Sequence, residues 1–319
     1  MINNAIELIS KKQEKFPKIL LKQTVASNFD LFFVLLVYLD KYKYSTISEE
    51  ELNKIASSYV YILWFHKDIK SGINRLFKLL FAEENLSWSN ALSILIQENL
   101  VLLIIEPQLL KKQLNLIVAE NQIDSNHITI IKEKNLFLDE IKTKLFFVKE
   151  DENTFIENWN SLINRVYWNK SLIIYAQKDY MNLKFKEFNQ FENIEDTNRP
   201  WDWDHIYPIS WVYNKVDINQ LVRSWVNCIG NFRALSYDDN RSENNHLSPK
   251  QRFENDNKKE ESFIKENDLQ FWNQIDQTFG KIKHNEPEKT KIFLSAVINR
   301  MVNIYADWYE NYFINYKKY

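Results

Sequence analysis

The chain has 319 residues, with 41 Lys and Arg against 43 Asp and Glu and a formal net charge of −2. It carries no global basic signal for nucleic acid, so any phosphate recognition has to be local. One cysteine excludes an intrachain disulfide and a zinc ribbon of paired cysteines, and it agrees with a reducing, cytoplasmic setting.

Three glycines and six prolines, set among 45% hydrophobic residues, predict a mainly helical protein with a small α+β element. The N-terminus lacks a basic segment leading into an apolar core, and Leu31–Leu39 is too short to span a bilayer, so no membrane role is expected and this run should be a buried helix. Apolar periodicity places helices near residues 5–24, 28–42, 71–82, 89–99, 106–120, 152–167 and 170–183. Ser48 and Glu51 offer a capping box that starts another. The polar stretch Glu120–His127 reads as the start of a linker covering 121–150. The expected division is a helical domain over 1–150, binding a partner or nucleic acid, and a second domain over 151–319 with its core motif at 199–253.

The run Arg199-Pro200-Trp201-Asp202-Trp203-Asp204-His205-Ile206-Tyr207-Pro208 puts a hard oxygen ligand beside an imidazole that can take a proton near neutral pH. Side chains alternate along a strand, so Asp204 and His205 need a bend between them to serve one site. Pro208 ends the strand. Trp201 and Trp203 should pack the strand rather than stack on bases, and Trp88, Trp159, Trp168 and Trp272 suit helix interfaces. Asp202 shares a strand face with Asp204 and either joins a metal site or tunes it. Downstream come Gly230-Asn231-Phe232-Arg233 and then Asp238-Asp239-Asn240-Arg241-Ser242-Glu243-Asn244.

Together these segments resemble the HNH, or ββα-metal, nuclease fold, in which a first strand ends in His, an Asn opens the second strand, and a His or Asn sits on the following helix. The spacing from Asn231 to Asn240 is 240 − 231 = 9 positions and matches the register of that family. The match is similar to the HNH domain of RNA-guided CRISPR effectors and closer still to the DUF1524 type. Members of that type often accompany a DUF262, ParB-like, domain in restriction and phage-defence proteins. The resemblance is specific from about Leu172 to Phe253.

It implies a metal-dependent endonuclease acting on DNA in bacterial anti-phage defence, with Mg²⁺ or Mn²⁺ held by Asp204 and Asn240 and with His205 as general base. Asn231 would bridge the loop carrying His205, so that one ring nitrogen faces water and the other meets a backbone carbonyl. Asn244, one turn after Asn240, is the alternative metal ligand, and His246 is a weaker rival. Arg233, Arg241, Lys250 and Arg252 are the expected phosphate contacts, with Lys215 and Arg223 nearby. The 26 positions from His205 to Asn231 exceed those of compact HNH domains and imply an inserted loop or short helix at Trp211–Asp217. An RNA-directed nuclease or toxin, and a nucleic-acid-binding subunit with a weak or inactive site, stay open as alternatives. No Ile-Pro-x-Phe-Gln-Arg type of motif and no Gly-rich phosphate loop occurs, so a separate regulatory or nucleotide-handling subunit is the expected protein partner. Cys228 reads as a buried thiol, and Ile292–Tyr305 as an amphipathic helix that covers the catalytic unit or the N-terminal bundle.

Overall fold

The structure is a computed structural model that describes residues 1–12, 16–26, 28–66, 68–82, 86–98, 104–120, 161–186, 199–213, 215–242 and 247–313. The N-terminal half is helical: α1 (Ile2–Lys12), α2 (Lys18–Ala26), α3 (Phe29–Lys41), α4 (Glu49–Phe65), α5 (Ile69–Phe77) with a π-helical turn at Lys78–Ala82, α6 (Trp88–Gln97) and α7 (Pro107–Glu120). The single helix expected over 5–24 is two helices. Pro17 immediately precedes α2, where its missing N–H costs nothing, but it disfavours helical geometry in the residue before it.

Ser48 does cap α4, its hydroxyl accepting the Glu51 N–H at 3.2 Å. The expected return bond from Glu51 is replaced by tertiary ones, because that carboxylate accepts the Tyr38 hydroxyl at 3.2 Å and the Ser89 N–H at 3.1 Å. Glu51 thereby joins α3, α4 and α6. The apolar run in α3 buries Leu31, Val34, Leu35, Tyr38 and Leu39 against the other helices. Among the described residues no single helix is long and apolar enough to cross a membrane.

A helix over 161–168, α8, is followed by α9 (Lys170–Ala176) and α10 (Lys178–Lys184). The one helix expected over 170–183 breaks at Gln177, whose buried side chain is needed elsewhere. Its Nε2 donates to the carbonyls of Ala234 and Glu261 at 3.1 and 2.6 Å, and its Oε1 accepts the Ala234 N–H at 2.8 Å.

Ala234 lies on β2 (Phe232–Ser236), which pairs antiparallel with β1 (Trp201–His205) in a two-stranded sheet, so Gln177 satisfies the backbone edge that β1 leaves open. Between the strands run a 3₁₀ turn at Ile209–Trp211 and α11 (Gln220–Trp225). The described residues of the expected insertion at 211–217 are thus turns, with a helix only after them. After β2 come α12 (Tyr237–Ser242), α13 (Pro249–Arg252), α14 (Asp256–Glu261), α15 (Glu266–Trp272) and the long α16 (Pro287–Trp308).

The expected amphipathic helix at 292–305 is the centre of α16, which buries Phe293, Leu294, Val297, Ile298, Met301, Ile304, Tyr305 and Trp308. It packs on both halves of the chain. Trp308 stacks on Phe65 of α4 with centroids 4.4 Å apart, the Tyr305 hydroxyl donates to the Ile105 carbonyl at 2.7 Å, and the other side of the helix lies on the turn that opens β2. One hydrophobic core therefore runs from Ala5 to Tyr312. The expected boundary at 150 lies outside the described residues.

Candidate active site

β1, β2 and α12 follow one another as strand, strand and helix, and Asp202, Asp204, His205, Asn231, Arg233 and Asn240 sit on or beside them. The ladder fixes which side chains share a face: Asp202 pairs with Leu235, Asp204 with Arg233 and His205 with Phe232. Pairing continues through His205, and the chain bends only at Ile206 and Tyr207. The expected bend between Asp204 and His205 is therefore absent, and the carboxylate and the imidazole leave the ribbon on opposite faces.

On one face His205 packs its ring against Phe232, centroids 4.2 Å apart, while Trp203 meets Trp201 and Phe232 edge-on. The Lys170 ammonium lies 3.8 Å from the Phe232 centroid and 5.1 Å from that of Trp203. His205 Nε2 is 3.0 Å from Asn227 Oδ1. That contact places the ring proton on Nε2 and leaves the lone pair on Nδ1. A side-chain carbonyl thus takes the role expected of a backbone one. Burial lowers the His205 pKa below its usual value, against the raising effects of Asn227 and Asp204, so the ring is a neutral base at pH 7.

Asn231 supports this face from beneath. Its Oδ1 accepts the Tyr207 N–H at 2.7 Å, and its Nδ2 donates to the Tyr207 and Val226 carbonyls at 3.2 and 2.8 Å. One fully buried amide thereby ties the bend just after His205 to the residue just before Asn227. Arg300 of α16 holds the turn in place, with Nη1 donating to the carbonyls of Ile229, Gly230 and Phe232 at 3.0, 2.9 and 2.6 Å. Gly230 is required by closeness, since a Cβ there would stand 2.0 Å from the Val297 carbonyl oxygen.

The other face carries the oxygen donors. Asn240 on α12 donates from Nδ2 to Asp202 Oδ2 at 3.1 Å, both residues half-buried. Asp204 is 9% exposed, and its Oδ2 accepts from Arg233 Nε at 2.8 Å and Arg252 Nη1 at 2.5 Å. The expectation that Arg233 and Arg252 reach out to phosphates is corrected here: they are 0% and 5% exposed, because a carboxylate buried at Asp204 needs cations brought to it.

Lys250 is exposed on α13, and Arg223 is exposed and donates to the Val216 carbonyl at 3.4 Å. Arg241 lies within α12, but its side chain, like Asn244 and His246, falls outside the described residues.

No group of three or more His, Cys, Asp or Glu converges among the described residues as a metal centre would require. Asp202 and Asp204 share one strand face and Asn240 bonds to Asp202, so these are the residues that could hold Mg²⁺ or Mn²⁺, ions that bind through one or two carboxylates and fill their remaining positions with water and phosphate. Asn227 escaped the sequence reading, its only signal being its place four residues before Asn231. The chain matches no protein-family model, and comparison with characterised proteins and with solved structures gives no match.

Proposed function

We propose that the protein is an HNH-type endonuclease that hydrolyses phosphodiester bonds, with DNA the favoured substrate and anti-phage defence or restriction the favoured setting. The observation that carries this reading is the union of a strand–strand–helix order with an imidazole kept neutral by burial and fixed through Asn227 and Asn231. In this reading His205 Nδ1 removes a proton from the attacking water at the end of β1, where the ribbon stops and both faces become reachable. Asn227 keeps the proton on Nε2, and Asn231 keeps the bend from moving the ring. Asp202, Asp204 and Asn240 would hold the divalent ion, which when bound neutralises phosphate charge and stabilises the leaving 3′ oxygen.

One observation favours a second reading, a nucleic-acid-binding subunit with a weak site: two buried guanidinium groups already neutralise Asp204. A cleavage panel of plasmid, linear duplex, single-stranded DNA and RNA with Mg²⁺ or Mn²⁺ separates the two. Metal-dependent cutting of any member supports the nuclease. Binding without cutting, for every member and in the presence of a candidate partner subunit, supports the binding subunit. RNA cut in preference to DNA reassigns the substrate while keeping the chemistry.

A further inference from the structure

A cleft of about 630 Å³ is lined by residues of α8, α9 and the N-terminal helices. Its described lining contains two cations, Lys170 and Arg165, the latter donating to the His66 carbonyl at 3.1 Å. It also contains side-chain amides. Asn28 and Asn169 each turn Oδ1 towards a helix N–H, at 2.9 and 3.2 Å, which leaves the amide nitrogen as the donor of each. The wall holds Trp168, a residue 57% exposed although a tryptophan on a short helix is expected to be packed away. Tyr167 supports it edge-on with centroids 4.6 Å apart.

Lys170 ties the cleft to the reacting face, since the same side chain that lines the cleft lies on Phe232, against which His205 packs. A cationic lining favours an anion, amides favour polar ring edges, and an exposed indole favours a flat ring. The volume suits one or two nucleotides. A paired duplex stacks its bases internally and offers Trp168 no free ring face, whereas unpaired nucleotides do.

We propose that this cleft binds unpaired nucleotides of a nucleic-acid strand, with a base stacked on Trp168 and the backbone led past Lys170 towards His205. The inference rests on the nuclease reading for its direction towards His205, and it names the substrate class as single-stranded or locally opened nucleic acid.

The test is fluorescence anisotropy of the full chain in chelator, which withholds the divalent ion, with labelled dT12, U12 and a 12-base-pair duplex, comparing wild type with Trp168→Ala. The expected result is tight binding of dT12 or U12, whichever sugar is preferred, with the variant weaker by about tenfold. Its thermal melt and duplex binding should be unchanged, since the ring is exposed. Equal affinity of wild type and variant for both single strands, or no binding of either by wild type, overturns the proposal. If Trp168-dependent binding is found but no substrate is ever cut, the nuclease reading falls and the cleft assignment stands. Cutting without Trp168-dependent binding has the opposite meaning.

Discussion

Asn231 and Tyr207 exchange two hydrogen bonds, the Tyr207 N–H donating to Asn231 Oδ1 at 2.7 Å and Asn231 Nδ2 donating to the Tyr207 carbonyl at 3.2 Å. An amide side chain here imitates a backbone ladder pair at the place where β1 stops, so the chain can turn just after His205 without orphaning buried peptide groups. Asn231→Ala leaves the Tyr207 N–H and the Val226 carbonyl without this partner. It is expected to cost about 3 kcal/mol in urea denaturation, at the upper end of the cost of leaving such groups unpaired. Asn231→Asp should do no better, because its carboxylate would face two carbonyl oxygens where the amide donated. Full stability in either variant removes Asn231 as the support of the site.

Arg300 and Gly230 set the position of the same turn. Gly230→Ala forces a methyl group against the Val297 carbonyl, a backbone atom that cannot swing aside. The turn must lift off α16, with an expected loss of about 3 kcal/mol. The His205 ring, which depends on that turn through Asn227, should lose activity in parallel. A melting temperature within a degree of wild type would contradict the packing described.

The two carboxylates on the oxygen-donor face should separate in their effects. Asp204→Asn leaves Arg233 and Arg252 buried without their counter-charge and is expected to destabilise by about 3–5 kcal/mol. Asp202 is half-buried and accepts the Asn240 amide at 3.1 Å, so Asp202→Asn should stay within about 1 kcal/mol of wild type. If Asp202 contributes to holding the ion, that variant raises the Mg²⁺ concentration needed for half-maximal cleavage. A stable Asp202→Asn protein with an unchanged metal requirement assigns the ion to Asp204 and Asn240 alone.

Much of the architecture was legible because it follows from local physics. The apolar spacings gave helices near their observed positions, the Ser48 cap formed, and the nine-residue register placed Asn231 at the head of β2 and Asn240 on the helix after it. What was not legible depends on partners far away in the chain. Nothing around Arg233 or Arg252 distinguishes a phosphate contact from the counter-charge of a buried aspartate 29 or 48 residues earlier. Gln177 broke an otherwise periodic helix because a sheet edge 57 residues later needed its amide. Trp168 was expected at a helix interface and stands exposed, since on a short helix between two neighbours only one ring of the Tyr167-Trp168 pair can turn inward.

Acid should weaken the fold before it touches most carboxylates. His66 is fully buried, its Nδ1 accepting the Asp68 N–H at 3.1 Å, and burial pushes its pKa down to about 4. The unfolded chain binds this proton near the ordinary value of 6.5 while the folded chain refuses it until about pH 4, so stability is present above 6.5 and is lost as pH falls between the two. From His66 alone the protein should be about 2 kcal/mol less stable at pH 5 than at pH 7. His205, lowered in the same direction, adds to that loss, and its protonation also removes the base. Cleavage is therefore expected to be flat from pH 8 to 7 and to fall at a pH below 6.5. Equal urea midpoints at pH 5 and 7 would contradict the burial of a neutral His66.

The central claim is that His205 is the base of a metal-dependent phosphodiester hydrolysis. Its most direct measurement is the initial cleavage rate of the best substrate from the panel, for wild type and His205→Ala, in Mg²⁺ and in chelator, with circular dichroism confirming that the variant folds. The account predicts cutting by wild type in Mg²⁺, none in chelator, and a rate for folded His205→Ala lower by about a hundredfold or more, the usual effect of removing a general base. Undiminished cutting by the folded variant, or cutting that persists in chelator, contradicts it.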